Sequence, residues 1–311
     1  MNLSAAMPRV SIVLPTRNGM RTLPALFEML SKQTPSIPFE TIAIDSSSTD
    51  GTARWLESRV DRLMSIPAAA FNHGGTRNAG VAEARAALVV LLVQDAVPAS
   101  SSWLVELIAP FERDAQLAGT FARQLPRDDA SPIVRHYLSR WIAGSETARV
   151  STIASAAEFS ALPPMDKFTR CVFDNVCACI RRSVWQAHPF QATPIAEDVE
   201  WARDVLLAGH RLAFVPASAV VHSHNRPIRD EFDRTYILHK RLGELFGLRT
   251  IPSVPALARS MASSLSLHWR CQRAAPAAQR GFVNGRRALG LAFAWPLAQY
   301  LGGRAANRSP R

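Results

Sequence analysis

The stretch Leu88-Val-Val-Leu-Leu-Val-Gln-Asp-Ala96 decides the fold. Its unbroken apolar run, Leu88 to Val93, predicts a strand buried on both faces, the habit of a strand inside a helix-covered parallel sheet. Gln94-Asp95-Ala96 ends the run, so a carboxylate directly follows a rigid buried element. Upstream, short apolar runs alternate with helix-length segments. Val10-Ser-Ile-Val-Leu14 reads as a strand stopped by Pro15, with Leu23 to Leu30 as the helix after it. Thr41-Ile-Ala-Ile44 is a second strand, followed by the polar turn Asp45-Ser-Ser-Ser-Thr-Asp-Gly51 and a helix through Trp55 and Leu56. Leu63 to Ile66 is a third strand, and Gly74-Gly-Thr-Arg-Asn-Ala-Gly80 opens a helix through Val81 to Arg85.

Alternation of this kind implies a parallel, right-handed α/β sheet. Ligands of such sheets sit beyond the carboxyl ends of the strands. The residues expected there are Thr16, Arg17 and Asn18, then Asp45 to Asp50, then Asp95. Helix capping would account for one or two of Asp45 and Ser46 to Ser48. It does not account for the whole convergence of carboxylates and hydroxyls.

Further along, Ser102 to Phe111 reads as a helix, Leu117 to Phe121 as a strand and Pro132 to Ile142 as a helix. Ser151 to Pro164, rich in Ala and Ser, reads as a mobile loop. Val176 to Ile180 is a strand and Arg181 to Trp185 a helix start. Glu197-Asp198 opens a helix through Trp201, Val205 and Leu206 that Gly209 closes. Arg211 to Val215 and Ala219 to Val221 read as two short strands around Pro216, followed by His222-Ser-His224. Cys177 and Cys179, two apart on a strand, share one face, expected to be the core.

The 311 residues carry a net charge of +11, and ten of those positive charges are arginines beyond Glu244, a region without a single Asp or Glu. The body is therefore nearly neutral and the tail cationic. Anionic lipid, nucleic acid or an acidic partner would each suit such a tail. Its apolar interleaving (Phe282, Val283, Leu289, Leu291, Phe293, Trp295) fits an interfacial membrane segment better than a nucleic-acid arm, and a plain Arg-rich helical extension is the alternative. At 48% hydrophobic and 20% charged residues the chain builds a core and is not a disordered one. Four cysteines without CxxC spacing exclude a disulfide scaffold and a zinc-ribbon pattern, and fit a reducing cytosol. Met1 to Arg9 holds no stretch apolar enough for a signal peptide, and Ala288 to Leu301, the nearest approach to a membrane span, is interrupted by Pro296 and Gln299. Secretion and multi-pass topology are not expected.

Five ordered motifs now carry a resemblance: Ser11-Ile-Val-Leu-Pro-Thr-Arg-Asn18, Ile44-Asp-Ser-Ser-Ser-Thr-Asp-Gly-Thr52, Phe71-Asn-His-Gly-Gly-Thr-Arg-Asn-Ala-Gly80, Leu92-Val-Gln-Asp-Ala-Val-Pro98 and Ala196-Glu-Asp-Val-Glu-Trp201. Over about residues 8–225 the chain resembles family 2 glycosyltransferases of the GT-A fold, and more narrowly bacterial rhamnosyltransferases. The resemblance implies a single Rossmann-like, mostly parallel sheet flanked by helices, with a helical basic C-terminal extension. It divides the chain into a transferase domain over 1–248 and a basic amphipathic region over 249–311. Within the first, about 8–100 would bind nucleotide-sugar and about 101–248 the acceptor. The G-x-G-x-x-G dinucleotide fingerprint is missing after the first strand.

Transfer of a sugar from a nucleotide diphosphate requires neutralisation of the leaving diphosphate, a base for the acceptor hydroxyl, and a grip on the nucleotide. By resemblance, Asp198 is the base, which implies inversion by single displacement. Asp45 would accept from a pyrimidine N3–H, Arg77 would approach the base or diphosphate, and Thr16 and Arg17 would line the nucleotide site. Gln94, Glu197 and Trp201 complete the expected substrate-binding set, Trp201 as a stacking platform or as core. Asp95 would hold Mg²⁺ or Mn²⁺. The family's D-x-D motif has a single carboxylate here, in Val93-Gln94-Asp95-Ala96, so His222 or His224 would supply a second ligand, or else sit near the metal without binding it. The implied activity is transfer of a 6-deoxyhexose such as rhamnose, from a dTDP donor, to a lipid-linked or polysaccharide acceptor in cell-surface glycan synthesis. The enzyme would work at the cytoplasmic membrane face, with no nucleic-acid partner. The alternatives are a catalytically silent nucleotide-sugar-binding or scaffold protein of the same fold, a family 2 enzyme using a UDP-hexose, and a basic nucleic-acid binder.

Overall fold

The computed structural model describes residues 7–306. Arg308 and Arg311 of the basic tail, and the first six residues of the N-terminal stretch, lie outside the described residues. In chain order the elements are β1 (Val10–Thr16), α1 (Leu23–Ser31), β2 (Phe39–Asp45), α2 (Thr52–Leu56), β3 (Arg62–Ser65), α3 (His73–Glu83), β4 (Leu88–Leu92) and β5 (Val97–Pro98). Then follow α4 (Trp103–Ile108), α5 (Pro110–Arg113), β6 (Leu117–Leu125), α6 (Pro132–Arg140), β7 (Arg149–Ser151), α7 (Ala156–Ala161), α8 (Pro164–Arg170) and β8 (Cys177–Arg181). The last are α9 (Arg182–Ala187), α10 (Glu197–Leu207), β9 (Arg211–Val221), α11 (Ile228–Phe246), α12 (Val254–Ala274) and α13 (Phe282–Ala305). The chain divides into two units. One takes the described residues up to Leu125 with Ile142–Ser160 and Cys171–His222, and the other takes Pro126–Trp141, Ala161–Arg170 and the residues from Ser223 onward.

The first unit is built on a mixed sheet of order β3-β2-β1-β4-β8-β6-β9-β5, with β7 pairing β9. The expected parallel arrangement holds from β3 to β4. Beyond β4, strand β8 runs antiparallel to both β4 and β6, and β6 and β9 run parallel to each other. Both faces of the central strands are covered, which is why they read as continuous apolar runs. Val10, Ile12 and Leu14 pack into the core with Leu23, Leu26, Leu56, Trp103 and Leu104. On the opposite face α3 lies so close that a Cβ at Gly80 would fall 2.4 Å from Val13 Cγ1 and 2.8 Å from Ile44 Cδ1.

Three sequence expectations are corrected. Pro15 does not stop β1, which continues to Thr16; β4 pairs only as far as Val13, so the proline sits where the strand has one ladder neighbour left. The Ser151–Pro164 segment is not a loop throughout, since it contains α7, whose start is tied down by Glu158 accepting from the Ala154 amide at 2.9 Å. The two strands around Pro216 are one strand, β9, in which pairing with β6 skips from Val215 opposite Ala122 to Ala219 opposite Arg123. A bulge absorbs the proline there.

The second unit is helical. Within it α13 lies close enough to α11 that a Cβ at Gly302 would be 2.4 Å from the Tyr236 carbonyl oxygen. Tyr137, His268 and Trp295 form a cluster of mutually perpendicular rings with centroids 5.0–5.8 Å apart. Pro296 lies inside α13 without ending it. Among the described residues no helix is long and apolar enough to cross a membrane.

Gly80→Ala is expected to lower stability by about 1–3 kcal/mol, because the added methyl meets β-branched core side chains that have little room to yield. Urea denaturation measures it, and loss of the folded baseline would mark a still larger cost.

Candidate active site

The carboxyl edge of β1, β2 and β4 is laced together by side chains that replace backbone pairing where the strands diverge. Gln94 accepts from the Arg17 amide at 2.9 Å and donates to the Arg17 carbonyl at 2.8 Å. Its amide thus copies a strand rung between the β1 and β4 loops. Asn18 accepts from the Thr49 amide at 2.8 Å, and its own amide donates to Ser48 Oγ at 2.8 Å. Thr16 and Asp45 are paired across β1 and β2 and both buried; Thr16 Oγ1 lies 3.3 Å from Asp45 Oδ1. The Asp45 carboxylate also accepts from the Ser48 amide at 2.9 Å and from the Ser48 hydroxyl, which folds the polar loop back on itself.

The same edge extends onto β8 because that strand runs the other way. Val93 donates to the Val176 carbonyl at 3.0 Å, so the residues entering β8, Asp174 and Asn175, stand opposite the residues leaving β4. Asn175 donates its backbone amide to Asp198 Oδ2 at 3.4 Å and its side-chain amide to Glu197 Oε1 at 3.3 Å. Continuity of this ladder brings Asp45, Asp95 and Asp198 to one edge of one sheet.

Arg77 and Glu197 meet in a buried ion pair at 3.0 Å, each about 5% exposed. The guanidinium also donates to the His73 and Asn175 carbonyls at 3.1 and 3.3 Å. Both side chains are thereby engaged with one another and with the scaffold. Asp198, the next residue, has its pKa pushed up to about 8, first by burial and then by the nearby charges of Glu197 and Asp174; the Val199 amide and Arg77 offset this in part. It sits in the first turn of α10, where the helix N-terminus tolerates anions.

At the ends of β4 and β9, His222 Nε2 lies 3.7 Å from Asp95 Oδ1. That is beyond hydrogen-bond reach, but within the span of roughly 3–4.2 Å open to two donors that each sit ~2.1 Å from one cation. His224, two residues further on, belongs to the second unit. The carboxylate of Asp95 and the imidazole of His222 form a donor pair that fits a divalent cation.

Trp201 is core: it is 1% exposed, packs against Phe173 and Phe190 with centroids 5.0 and 5.4 Å away, and donates its indole N–H to the His188 carbonyl at 2.8 Å. It has no face left to stack on a sugar, which corrects its inclusion among the substrate-binding residues. Cys177 and Cys179 are buried as expected, and burial pushes the Cys177 thiol up to about 12, far from a nucleophile's range.

Asp174, Asn175 and Gln124 were not legible as site residues. The first two precede a strand, and only the reversed direction of β8 brings that end to the carboxyl edge. Gln124 lies beyond the Leu117–Phe121 run because β6 continues to Leu125. Non-glycine residues with left-handed φ also flank the site: Asn18 (48°), Ser47 (57°) and Ala196 (63°). Each turns the chain within two residues of Arg17, Asp45 or Glu197, and backbone strain of this kind is held only where the surroundings over-determine it.

The raised pKa of Asp198 has a consequence for stability. Between the ordinary value of 3.8 and about 8, the folded protein keeps a proton that the unfolded chain releases. Stability is therefore expected to fall as pH rises through that window, and Asp198→Asn should flatten this part of the curve and be more stable than the parent above pH 8. Denaturation midpoints across pH 5–9 check it.

Residues 11–185 match the family described as Glycosyl transferase family 2. The O-antigen chain rhamnosyltransferase WbaN of Salmonella anatum is 35% identical over 235 residues, covering 74% of this chain and 71% of its own. RfbN of Salmonella typhimurium, also an O-antigen chain rhamnosyltransferase, is 31% identical over 233 residues, covering 73% and 70%. Among solved structures, the mannosyltransferase PcManGT of Pyrobaculum calidifontis, in complex with GDP-Man and Mn²⁺, shares the fold with a TM-score of 0.58 at 17% identity, over 98% of this chain and 87% of its own. Glucosyl-3-phosphoglycerate synthase of Mycobacterium tuberculosis aligns with a TM-score of 0.54 at 18% identity, over 80% and 82%. A sheet of this topology, with the ordered motifs on its carboxyl edge and relatives matched over most of their length, identifies the chain as a member of glycosyl transferase family 2.

Proposed function

We propose that this protein is an inverting rhamnosyltransferase of cell-surface glycan synthesis. It would move rhamnose or another 6-deoxyhexose from a dTDP donor to a lipid-linked or polysaccharide acceptor. The observation that carries the reading is the Asp198 carboxylate, raised to about 8 on the edge that also bears Asp45 and Asp95. A base with a pKa near the working pH combines a useful ionised fraction with real proton affinity. The names of the two curated relatives support the choice of sugar.

In this mechanism Asp198 takes the proton of the acceptor hydroxyl. The hydroxyl oxygen forms the new bond to the anomeric carbon as the bond to the diphosphate oxygen breaks on the opposite face, giving inversion. Mg²⁺ or Mn²⁺, when bound, supplies positive charge to the leaving diphosphate. Asp95, His222 and His224 are the residues that would hold it. Asp45 keeps acceptor capacity for a pyrimidine N3–H beyond its bonds to Ser48, since an ionised carboxylate offers about four lone-pair sites. Thr16 and Arg17 line the same end. Gln94, Arg77 and Glu197 serve this chemistry by position: Gln94 holds the Arg17 loop, and the Arg77–Glu197 pair fixes the start of α10. Residues of about 8–100 form the nucleotide-sugar half and 101–248 the acceptor half, with 249–311 as the basic extension.

The enzyme would work on the inner face of the cytoplasmic membrane, docked on anionic lipid. Exposed Trp269, Phe282, Val283, Leu289 and Phe293 support this, together with exposed Arg270, Arg273, Arg280 and Arg286 and no acidic residue in the region. Apolar side chains among arginines suit a headgroup boundary.

Two outcomes are expected. With dTDP-rhamnose and Mn²⁺, Asp198→Asn lowers kcat by about 10²–10⁴-fold while dTDP binding measured by calorimetry is unchanged, and the parent's kcat/KM rises with pH along a limb near 8. Full activity in the Asn variant would overturn Asp198 as the base, and a parent that binds dTDP but transfers nothing would leave the silent-protein alternative standing. In sedimentation with vesicles, binding rises with phosphatidylglycerol content and drops when Trp269 and Phe282 are both changed to Ser; loss with salt alone would reduce the contact to plain charge attraction.

A further inference from the structure

We propose that Gln124 is a positioning residue for the metal-binding histidine: its amide, oriented by Asp174, fixes His222 in the tautomer that presents an Nε2 lone pair to the cation. The proposal rests on the metal reading of Asp95 and His222 given above, and nothing in the motifs pointed to Gln124 or Asp174 for this role.

The geometry is a short chain of partners on adjoining strands. Gln124 lies on β6 and His222 directly follows β9, with Leu125 paired to Val221 and the His222 amide donating to the Leu125 carbonyl at 2.9 Å. The backbone therefore fixes where both side chains begin. Gln124 Nε2 donates to Asp174 Oδ2, and Gln124 Oε1 lies 2.9 Å from His222 Nδ1. Asp174 is itself turned by its other oxygen, which accepts from the Val176 amide at 3.0 Å. Gln124 and His222 are both about 8% exposed, so water is a poor substitute for these bonds.

The direction of the chain follows from what each group can do. A carboxylate only accepts, so the amide must turn its NH₂ to Asp174 and its oxygen to His222. An amide oxygen also only accepts, so His222 must carry hydrogen on Nδ1. The remaining nitrogen of the neutral ring, Nε2, then carries the lone pair and is the atom 3.7 Å from Asp95. A histidine left to itself favours the opposite tautomer, in which Nε2 carries hydrogen and cannot bind a metal. Which nitrogen is available is set by the bond the other one makes, and such outer partners govern metal affinity strongly. The same chain links the metal end of the site to Asp174, one of the charges that raises Asp198.

The test combines ¹⁵N NMR of the imidazole in the metal-free protein with Mn²⁺ affinity from electron paramagnetic resonance. The parent is expected to give an Nδ1–H signature for His222 above the pH where the ring is neutral. Gln124→Leu should lose that signature and bind Mn²⁺ about 10–100-fold more weakly. The double variant Gln124→Glu with Asp174→Asn reverses the polarity of one bond: the new carboxylate accepts from both His222 Nδ1–H and the new amide. It should restore the tautomer and bring Mn²⁺ affinity back to within about threefold of the parent, which a merely structural role for Gln124 would not require. An Nε2–H signature in the parent overturns the proposal, as does unchanged Mn²⁺ affinity in Gln124→Leu, while the metal reading survives both. A parent that binds no Mn²⁺ overturns the two together.

Discussion

One guanidinium organises the acidic centre of this protein. Arg77 on α3 is buried with Glu197 on α10 and reaches the Asn175 carbonyl at the entry to β8, so a single side chain ties together three elements that are far apart in sequence. Burying a charge is tolerable only with an opposite charge and enough hydrogen-bond partners at hand. Arg77 has the Glu197 carboxylate and two backbone carbonyls for its terminal nitrogens, while its buried Nε is left without a partner. The pairing uses up Glu197 and leaves Asp198 beside two carboxylates with one partly neutralised. Burial first, and then the charges of those two carboxylates, raise its pKa, and Arg77 offsets part of the rise.

The site's two ends follow different physical logic. At the β1–β2–β4 end, amides and hydroxyls stitch loops so that Thr16, Arg17 and Asp45 are held by hydrogen bonds, with Gln94 acting as a piece of backbone. Gln94, next to the single carboxylate Asp95, is thus employed in the scaffold. At the β4–β9–α10 end, carboxylates lie near the His222 imidazole, which Gln124 links to Asp174. In the proposed mechanism, fixed shape would serve recognition and tuned protonation chemistry.

Much of this was readable along the chain. The strands β1, β2 and β4, the helices after them, and the convergence of Asp45 and Asp95 on one edge followed from apolar runs and the residues that end them. Trp201 was ambiguous, because an indole after a helix start reads equally as platform or core, and only its neighbours Phe173 and Phe190 decide. Pro216 misled the reading of β9, since a bulge costs one proline little and local sequence carries no sign of the partner strand that bridges it.

Local sequence determined which segments are buried strands and which acids and hydroxyls follow β1, β2 and β4, because burial on both faces and termination by polar residues are properties of a few consecutive side chains. Strand direction was decided only by the tertiary structure. The reversal of β8 carries Asp174 and Asn175 to the edge where Asp95 and Asp198 lie, and the extension of β6 sets Gln124 beside His222. Pairing direction and register are set by contacts between distant segments, so the partners that tune the acids and the histidine have no signature in the residues around them.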